Sequence, residues 1–115
     1  MGPALILRGD IYYAEFEHAT GSEISGIHPV IIVQNNLGNY YSRTIIGVVM
    51  TSKTKKVEMP THEMISDGGE LIKNSMVLAE HIYTVDKQRL RGFICHLDDS
   101  MMVFVDNAIR KSLAL

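Results

Sequence analysis

The feature that most constrains the fold is a pair of short, continuous apolar runs at residues 29–33 and 44–50. Each run has the length of a strand, and neither approaches the roughly 18–20 apolar residues that a membrane-spanning helix needs. A short apolar run without polar alternation is typical of a strand that is buried on both faces. The sequence therefore predicts a sheet whose middle strands are covered on both sides.

Further strands are expected on either side of this pair, followed by a change of period near the C-terminus. Strands are predicted at 11–16, 75–79 and 90–96, and turns at the Asn- and Gly-rich residues 35–39 and 67–69. Asp98 is a candidate N-cap, and apolar residues then recur at helical spacing up to Leu113. Many short strands without βαβ alternation predict a mainly β fold with a C-terminal helix, built as a small antiparallel barrel or strongly bent sheet.

Composition narrows the class of protein. The 115 residues suit one domain spanning 1–115, and the formal net charge is −2. The single cysteine, Cys95, excludes a disulfide within the chain and a cysteine-rich zinc site. With no secretory signal visible, we expect a cytoplasmic protein that does not associate with membranes.

Two segments are candidates for function. Residues 17–28 hold four Gly and Ser residues in a long stretch without a strand pattern, and loops of that length are frequently functional. Basic residues gather at Arg43, Lys53, Lys55 and Lys56, where they form either a nucleic-acid-binding surface or an ordinary solvated face.

Several short motifs occur in a characteristic order from Arg8 to Leu115. They are Arg8-Gly9-Asp10-Ile11-Tyr12, Gly21-Ser22-Glu23-x-x-Gly26-x-x-Pro29-Val30, Gln34-Asn35, Gly38-Asn39, Pro60-Thr61-His62, a stretch from Glu80 to Leu90, Leu97-Asp98-Asp99 and Ser112-Leu113. In this order and spacing the chain resembles the MazF/PemK toxin endoribonucleases.

The resemblance implies an SH3-like barrel with a C-terminal helix, assembled as a homodimer. It further implies an enzyme that cleaves single-stranded RNA, including mRNA, at short sequences without metal or cofactor, leaving a 2′,3′-cyclic phosphate and a 5′-hydroxyl. A cognate antitoxin protein would neutralise it, and DNA would be contacted only indirectly, through that antitoxin.

The resemblance also assigns site residues. The family's catalytic threonine corresponds to Thr51, and the position of its catalytic arginine holds His28. The residues expected to bind RNA are Ser22, Glu23, Gly26, Asn36, Ser52, Lys53, Lys56 and His81.

The histidine at position 28 is a departure from the family pattern. Arginine supplies permanent charge for a phosphate, whereas histidine, with an ordinary pKa of about 6.5, is suited to proton transfer. A second departure is the stretch Glu80-His81-Ile82-Tyr83-Thr84, where the family commonly has Glu-Gln-Ile-Arg-Thr. Tyr83 either stacks on an RNA base or simply packs against the protein.

Three alternatives stay open from the sequence. His28 is either catalytic or a loop histidine without chemical role, and in the second case the chain is a weakened or inactive member that binds RNA or antitoxin. A gyrase-poisoning toxin of similar fold is the third reading, but residues 98–115 show only an amphipathic packing pattern. The other histidines (His18, His62 and His96) lack metal-ligand spacing, so no metal site is expected.

Overall fold

One antiparallel sheet of six strands organises the described part of the chain. The computed structural model describes residues 5–17, 25–51, 62–65 and 75–115. The elements are β1 (Asp10–Phe16), β2 (Gly26–Ile32), α1 (Asn36–Tyr41), β3 (Thr44–Thr51), β4 (His62–Ile65), β5 (Ser75–Asp86), β6 (Leu90–His96) and α2 (Asp99–Leu113), with a 3₁₀ turn at Lys87–Arg89. The strand order is β4-β5-β3-β2-β1-β6, so β2 and β3 lie in the middle as their apolar runs predict.

Side chains of the middle strand β2 pack into two separate hydrophobic cores, one on each face of the sheet. Ile31 points to one face, where it joins Ile11, Val48 and residues of α2, including Met102. Val30 and Ile32 point to the other face, where Ala14, Val49 and Val85 surround them. All three β2 residues are fully buried, which explains the absence of polar alternation in this run. We call the side without α2 the open face.

The C-terminal helix begins where the sequence predicts. The carboxylate of Asp98 accepts a hydrogen bond from the backbone N–H of Met101 at 3.0 Å, which makes it the N-cap of α2. Hydrogen bonds from the Ser100 hydroxyl and then from the Met101 N–H lower the pKa of Asp98. Within the described residues, neither helix is long and apolar enough to span a bilayer.

Two predicted elements differ from the structure. Residues 35–39 were expected to form a turn, but Asn35 caps the short helix α1 by accepting from Gly38 N at 2.8 Å. The strand predicted at 75–79 extends to Asp86 as β5. A register shift opposite Val48 and Val49 adds residues to β5 and interrupts its alternation, which is why the pattern underestimates its length.

A closed hydrogen-bond network joins β2 to α1. Asn39 is 1% exposed, and its Nδ2 donates to the backbone oxygen of Gln34 at 3.0 Å. The Gln34 Nε2 donates in return to Asn39 Oδ1 at 3.1 Å and to the backbone oxygen of Thr44 at 3.2 Å. A side chain at Gly38 would place its Cβ 3.1 Å from Gln34 Cδ, so glycine leaves room for this network. The Gln34-Asn35 and Gly38-Asn39 motifs therefore have a structural role.

Replacing the buried Asn39 with alanine is expected to destabilise the protein by about 1–3 kcal/mol, because the polar atoms of the half-buried Gln34 lose their partners. Urea unfolding at one fixed protein concentration measures the change. Asn107→Ala is the matched control, since Asn107 is exposed on α2 and should change stability by less than about 0.5 kcal/mol. Equal effects of the two variants would contradict a structural role for the network.

Candidate functional site

His28 lies on the open face of β2, near the start of the strand. It pairs with Ala14 of β1, and it shares the face of Val30 and Ile32 because side chains alternate along a strand. The sequence left open whether His28 belongs to a loop; in the structure β2 begins at Gly26 and includes it.

One imidazole nitrogen of His28 is already engaged. Its Nε2 lies 2.6 Å from the backbone oxygen of Ser25. A carbonyl oxygen only accepts hydrogen bonds, so Nε2 carries the hydrogen and donates. In the neutral ring Nδ1 is then the nitrogen that can accept a proton, and the backbone bond fixes the orientation of the ring.

Thr51 lies on the same face as His28, at the end of the neighbouring strand. Val30 of β2 pairs with Val49 of β3. His28 stands two residues before Val30, and Thr51 stands two residues after Val49, so both lie just beyond the paired segment. Thr51 is half-buried and pairs with Met76 on its other side. The structure therefore places the two residues expected to be catalytic on the open face, at the same end of the neighbouring strands β2 and β3.

A row of rings continues from His28 across the open face. The ring centroids of His28 and Phe16 are 6.2 Å apart, and those of Phe16 and Tyr83 are 5.1 Å apart. Tyr83 in turn lies 6.2 Å from His81, with an angle of 8° between the ring planes. We call these four residues the ring strip. It joins two of the residues named from the sequence, His28 and His81, through two residues that were not assigned to the site.

Phe16 is the member of the ring strip that sequence analysis missed. It pairs with Gly26, and its ring contacts the diagonal neighbour His28. The available signal was the alternation on β1, which places Phe16 on the same face as Ala14. The partner across the sheet could not be found without the register.

Gly26 supports the site through its backbone. Its φ of +83° lies in the left-handed region, and it is the first residue of β2. Glycine thus turns the chain into the strand two residues before His28. The remaining loop and groove residues predicted to bind RNA, namely Ser22, Glu23, Ser52, Lys53 and Lys56, lie outside the described residues.

Asn36 is not brought together with the catalytic candidates. It follows the opposite end of β2, where its Oδ1 accepts from the backbone N–H of Arg8 at 2.7 Å. The Arg8 side chain donates to the Val33 backbone oxygen at 2.8 Å and forms an ion pair with Asp106 of α2. In the protomer Asn36 therefore helps to anchor the N-terminal segment.

The described residues contain no cluster of three or more His, Cys, Asp or Glu side chains able to hold a metal ion. His96 instead donates from Nδ1 to the buried carboxylate of Asp10, 2.7 Å away. Burial, and then the Asp10 charge, raise the pKa of the Cys95 thiol. A raised pKa disfavours the reactive thiolate, in agreement with a packing role for Cys95.

Comparison with known proteins gives matches over nearly the whole chain. The family model "PemK-like, MazF-like toxin of type II toxin-antitoxin system" matches residues 7–113. A Bacillus subtilis protein named Endoribonuclease EndoA is 43% identical over 112 residues, covering 96% of this chain and 97% of the relative.

Solved structures match the fold. MazF from Deinococcus radiodurans has a TM-score of 0.82 at 17% identity, covering 98% of this chain and 100% of that one. An endoribonuclease in complex with its cognate antitoxin from Mycobacterial species has a TM-score of 0.79 at 23% identity, covering 96% of each chain. These matches confirm the mainly β, MazF/PemK-like fold with a C-terminal helix.

The family model spans most of the chain and the Bacillus relative shares 43% of its residues. On this evidence the chain belongs to the PemK-like, MazF-like toxins of type II toxin–antitoxin systems.

Proposed function

We propose that this chain is a toxin endoribonuclease that cuts single-stranded RNA at short sequences, without a metal ion, and that a cognate antitoxin neutralises it. The observation that carries the proposal is the 43% identity, over nearly the full length, with a relative named endoribonuclease. His28 and Thr51 lie on the open face at the same end of β2 and β3. They are the side chains proposed to carry out the reaction.

In the proposed reaction the 2′-hydroxyl of one ribose attacks the adjacent phosphorus. The 2′-oxygen–phosphorus bond forms and the bond to the 5′-oxygen breaks, which leaves a 2′,3′-cyclic phosphate and a 5′-hydroxyl. His28 accepts the 2′-hydroxyl proton at Nδ1, because the Ser25 carbonyl holds its Nε2 hydrogen. Water supplies the proton that the departing 5′-oxygen requires.

Thr51 supplies a hydroxyl donor for the phosphate in this scheme. A non-bridging oxygen gains negative charge as the 2′-oxygen attacks, and a fixed donor stabilises that charge more in the transition state than in the ground state. Thr51 ends β3, which continues from buried core residues such as Met50, so the strand fixes where the hydroxyl lies.

The proposed assembly is a cytoplasmic homodimer whose only contact with DNA is through its antitoxin. Two structural relatives support the antitoxin as partner, since one is described as a complex with its cognate antitoxin and another as MazE-MazF from Deinococcus radiodurans. A chain-specific antitoxin would compete with RNA for the open face.

The first test is incubation of a long single-stranded RNA with the protein in EDTA, followed by mapping of both new ends. We expect discrete cuts that leave 5′-hydroxyl and 2′,3′-cyclic phosphate ends, because proton transfer by a side chain needs no metal. Thr51→Ala protein purified in parallel controls for a contaminating nuclease. Intact RNA with folded protein would overturn the proposed function.

Thr51→Ala is expected to lower kcat by about a hundredfold or more, in line with the loss of one transition-state hydrogen-bond donor. Single-turnover cleavage of an RNA that spans a mapped cut measures this. Thr84→Ala is the matched control, because Thr84 lies on β5 with an exposed side chain. The assignment of Thr51 fails if both variants cut at the wild-type rate.

Substitutions of His28 distinguish an active endoribonuclease from a family member that has lost catalytic activity. We expect wild-type protein to cut RNA and His28→Ala to be slower by about 10²–10⁴-fold, the usual contribution of a general base. His28→Arg restores the residue type of the family pattern. Cleavage by His28→Arg alone, with an inactive wild type, would instead identify a binding module that has lost catalysis.

A further inference from the structure

We propose that the ring strip is a stacking subsite for an unpaired RNA base next to the scissile phosphate, with Tyr83 as its central ring. This inference rests on the proposed function, since it takes His28 to mark the position of the phosphate. It decides between the two roles that the sequence left open for Tyr83, and it assigns a substrate-binding role to Phe16, which neither the motifs nor the catalytic scheme uses.

The first argument is that the ring strip begins at His28, one of the two proposed catalytic residues. From His28 the ring centroids follow in steps of 6.2 Å to Phe16 and 5.1 Å to Tyr83. Phe16 and Tyr83 both pack against the buried residues of the open face, so their positions are fixed by the core. A nucleotide whose phosphate lies at His28 therefore has ring surface beside it.

The second argument is the exposure and orientation of the rings. All four rings are only partly buried, so part of each ring stays in contact with solvent. The planes of Tyr83 and His81 differ by 8°, so a base that lies parallel to one ring is parallel to the other. Unpaired bases bind proteins by stacking on aromatic faces, and this geometry suits that contact.

The third argument is that α2 does not cover this surface. α2 packs against the opposite face of the sheet, with Met102 and Val105 in the core that holds Ile31. Among the described residues, the half-exposed rings of the open face meet one another and the underlying core. An unpaired base is the proposed occupant because it offers a flat π-face and is tethered to the phosphate at His28.

The test measures binding without cleavage, so that failure of the stacking subsite can be told apart from failure of the proposed cleavage. The probes are short fluorescein-labelled RNA chains of a single base type, with 2′-fluoro riboses that cannot attack the phosphate, and an abasic chain of equal length. Fluorescence anisotropy gives Kd for each chain. We expect wild-type protein to bind the base-bearing chains about tenfold or more tightly than the abasic chain, the order that stacking of one base supplies.

Substitutions in the ring strip test which rings cause the preference for base-bearing chains. Tyr83→Leu keeps an apolar side chain but removes the ring, and should abolish the preference for base-bearing chains, whereas Tyr83→Phe should keep it. His81→Ala should weaken the preference, and it covers the case in which Tyr83→Leu fails to fold. Tyr40→Leu is the matched control, because Tyr40 is 66% exposed on α1, beyond the opposite end of β2.

Each outcome decides the proposal. Equal affinity of wild-type protein for base-bearing and abasic chains overturns it, as does a preference that Tyr83→Leu retains. A preference lost in Tyr83→Leu and kept in Tyr83→Phe supports it even if no RNA is cut in EDTA. Where RNA is cut, Tyr83→Leu should raise KM and leave kcat near the wild-type value, because stacking acts in the ground state and the transition state alike.

Discussion

The burial of β2 on both faces is the constraint from which the rest of the structure follows. Val30, Ile31 and Ile32 are fully buried, and they alternate between the core beneath α2 and the core of the open face. A shift of one residue in register would exchange the two sets, so the pairings with β1 and β3 are strongly specified. The same alternation places His28 on the open face, in register with Ala14 and away from α2.

The two ends of β2 have different surroundings. Beyond Ile32 the chain enters a polar network, in which the Gln34 side chain donates to the Asn39 side chain and the Asn39 side chain donates to the Gln34 backbone oxygen. Arg8 links the backbone of Val33 to Asp106 of α2. At the other end Gly26 turns the chain into the strand, and His28 stands beyond the last residue paired with β3. These hydrogen bonds, which involve the buried Asn39, stabilise and rigidify one end. The other end presents half-exposed polar and aromatic groups, as a binding site requires.

Sequence reasoning predicted the elements whose signal is local. The apolar runs at 29–33 and 44–50 became β2 and β3, and the Asp98 cap set the start of α2. The helix α1 was missed because six residues rich in Asn, Gly and Tyr carry a turn signal, and it depends on the Asn35 cap and on contacts with Gln34. Similarly, the proposed catalytic residues His28 and Thr51 came from the resemblance to the family, whereas Phe16 joins the candidate site only through ring contacts with residues of other strands. The sequence pattern does not show which residues of distant strands pair with one another.

The departures from the family pattern gather at one place on the open face. The sequence has histidine at 28 and tyrosine at 83 where the family pattern has arginine, and Phe16 contacts both rings. An arginine binds any phosphate through charge, whereas a ring binds the base and contributes no permanent charge. Under the proposed function, exchanging two cations for two rings would move recognition from the RNA backbone towards the bases and lower the number of counterions released on binding. Because the chain shares the fold of its structural relatives, the proposed difference from the arginine-bearing family pattern lies in the side chains of the open face and not in the sheet beneath them.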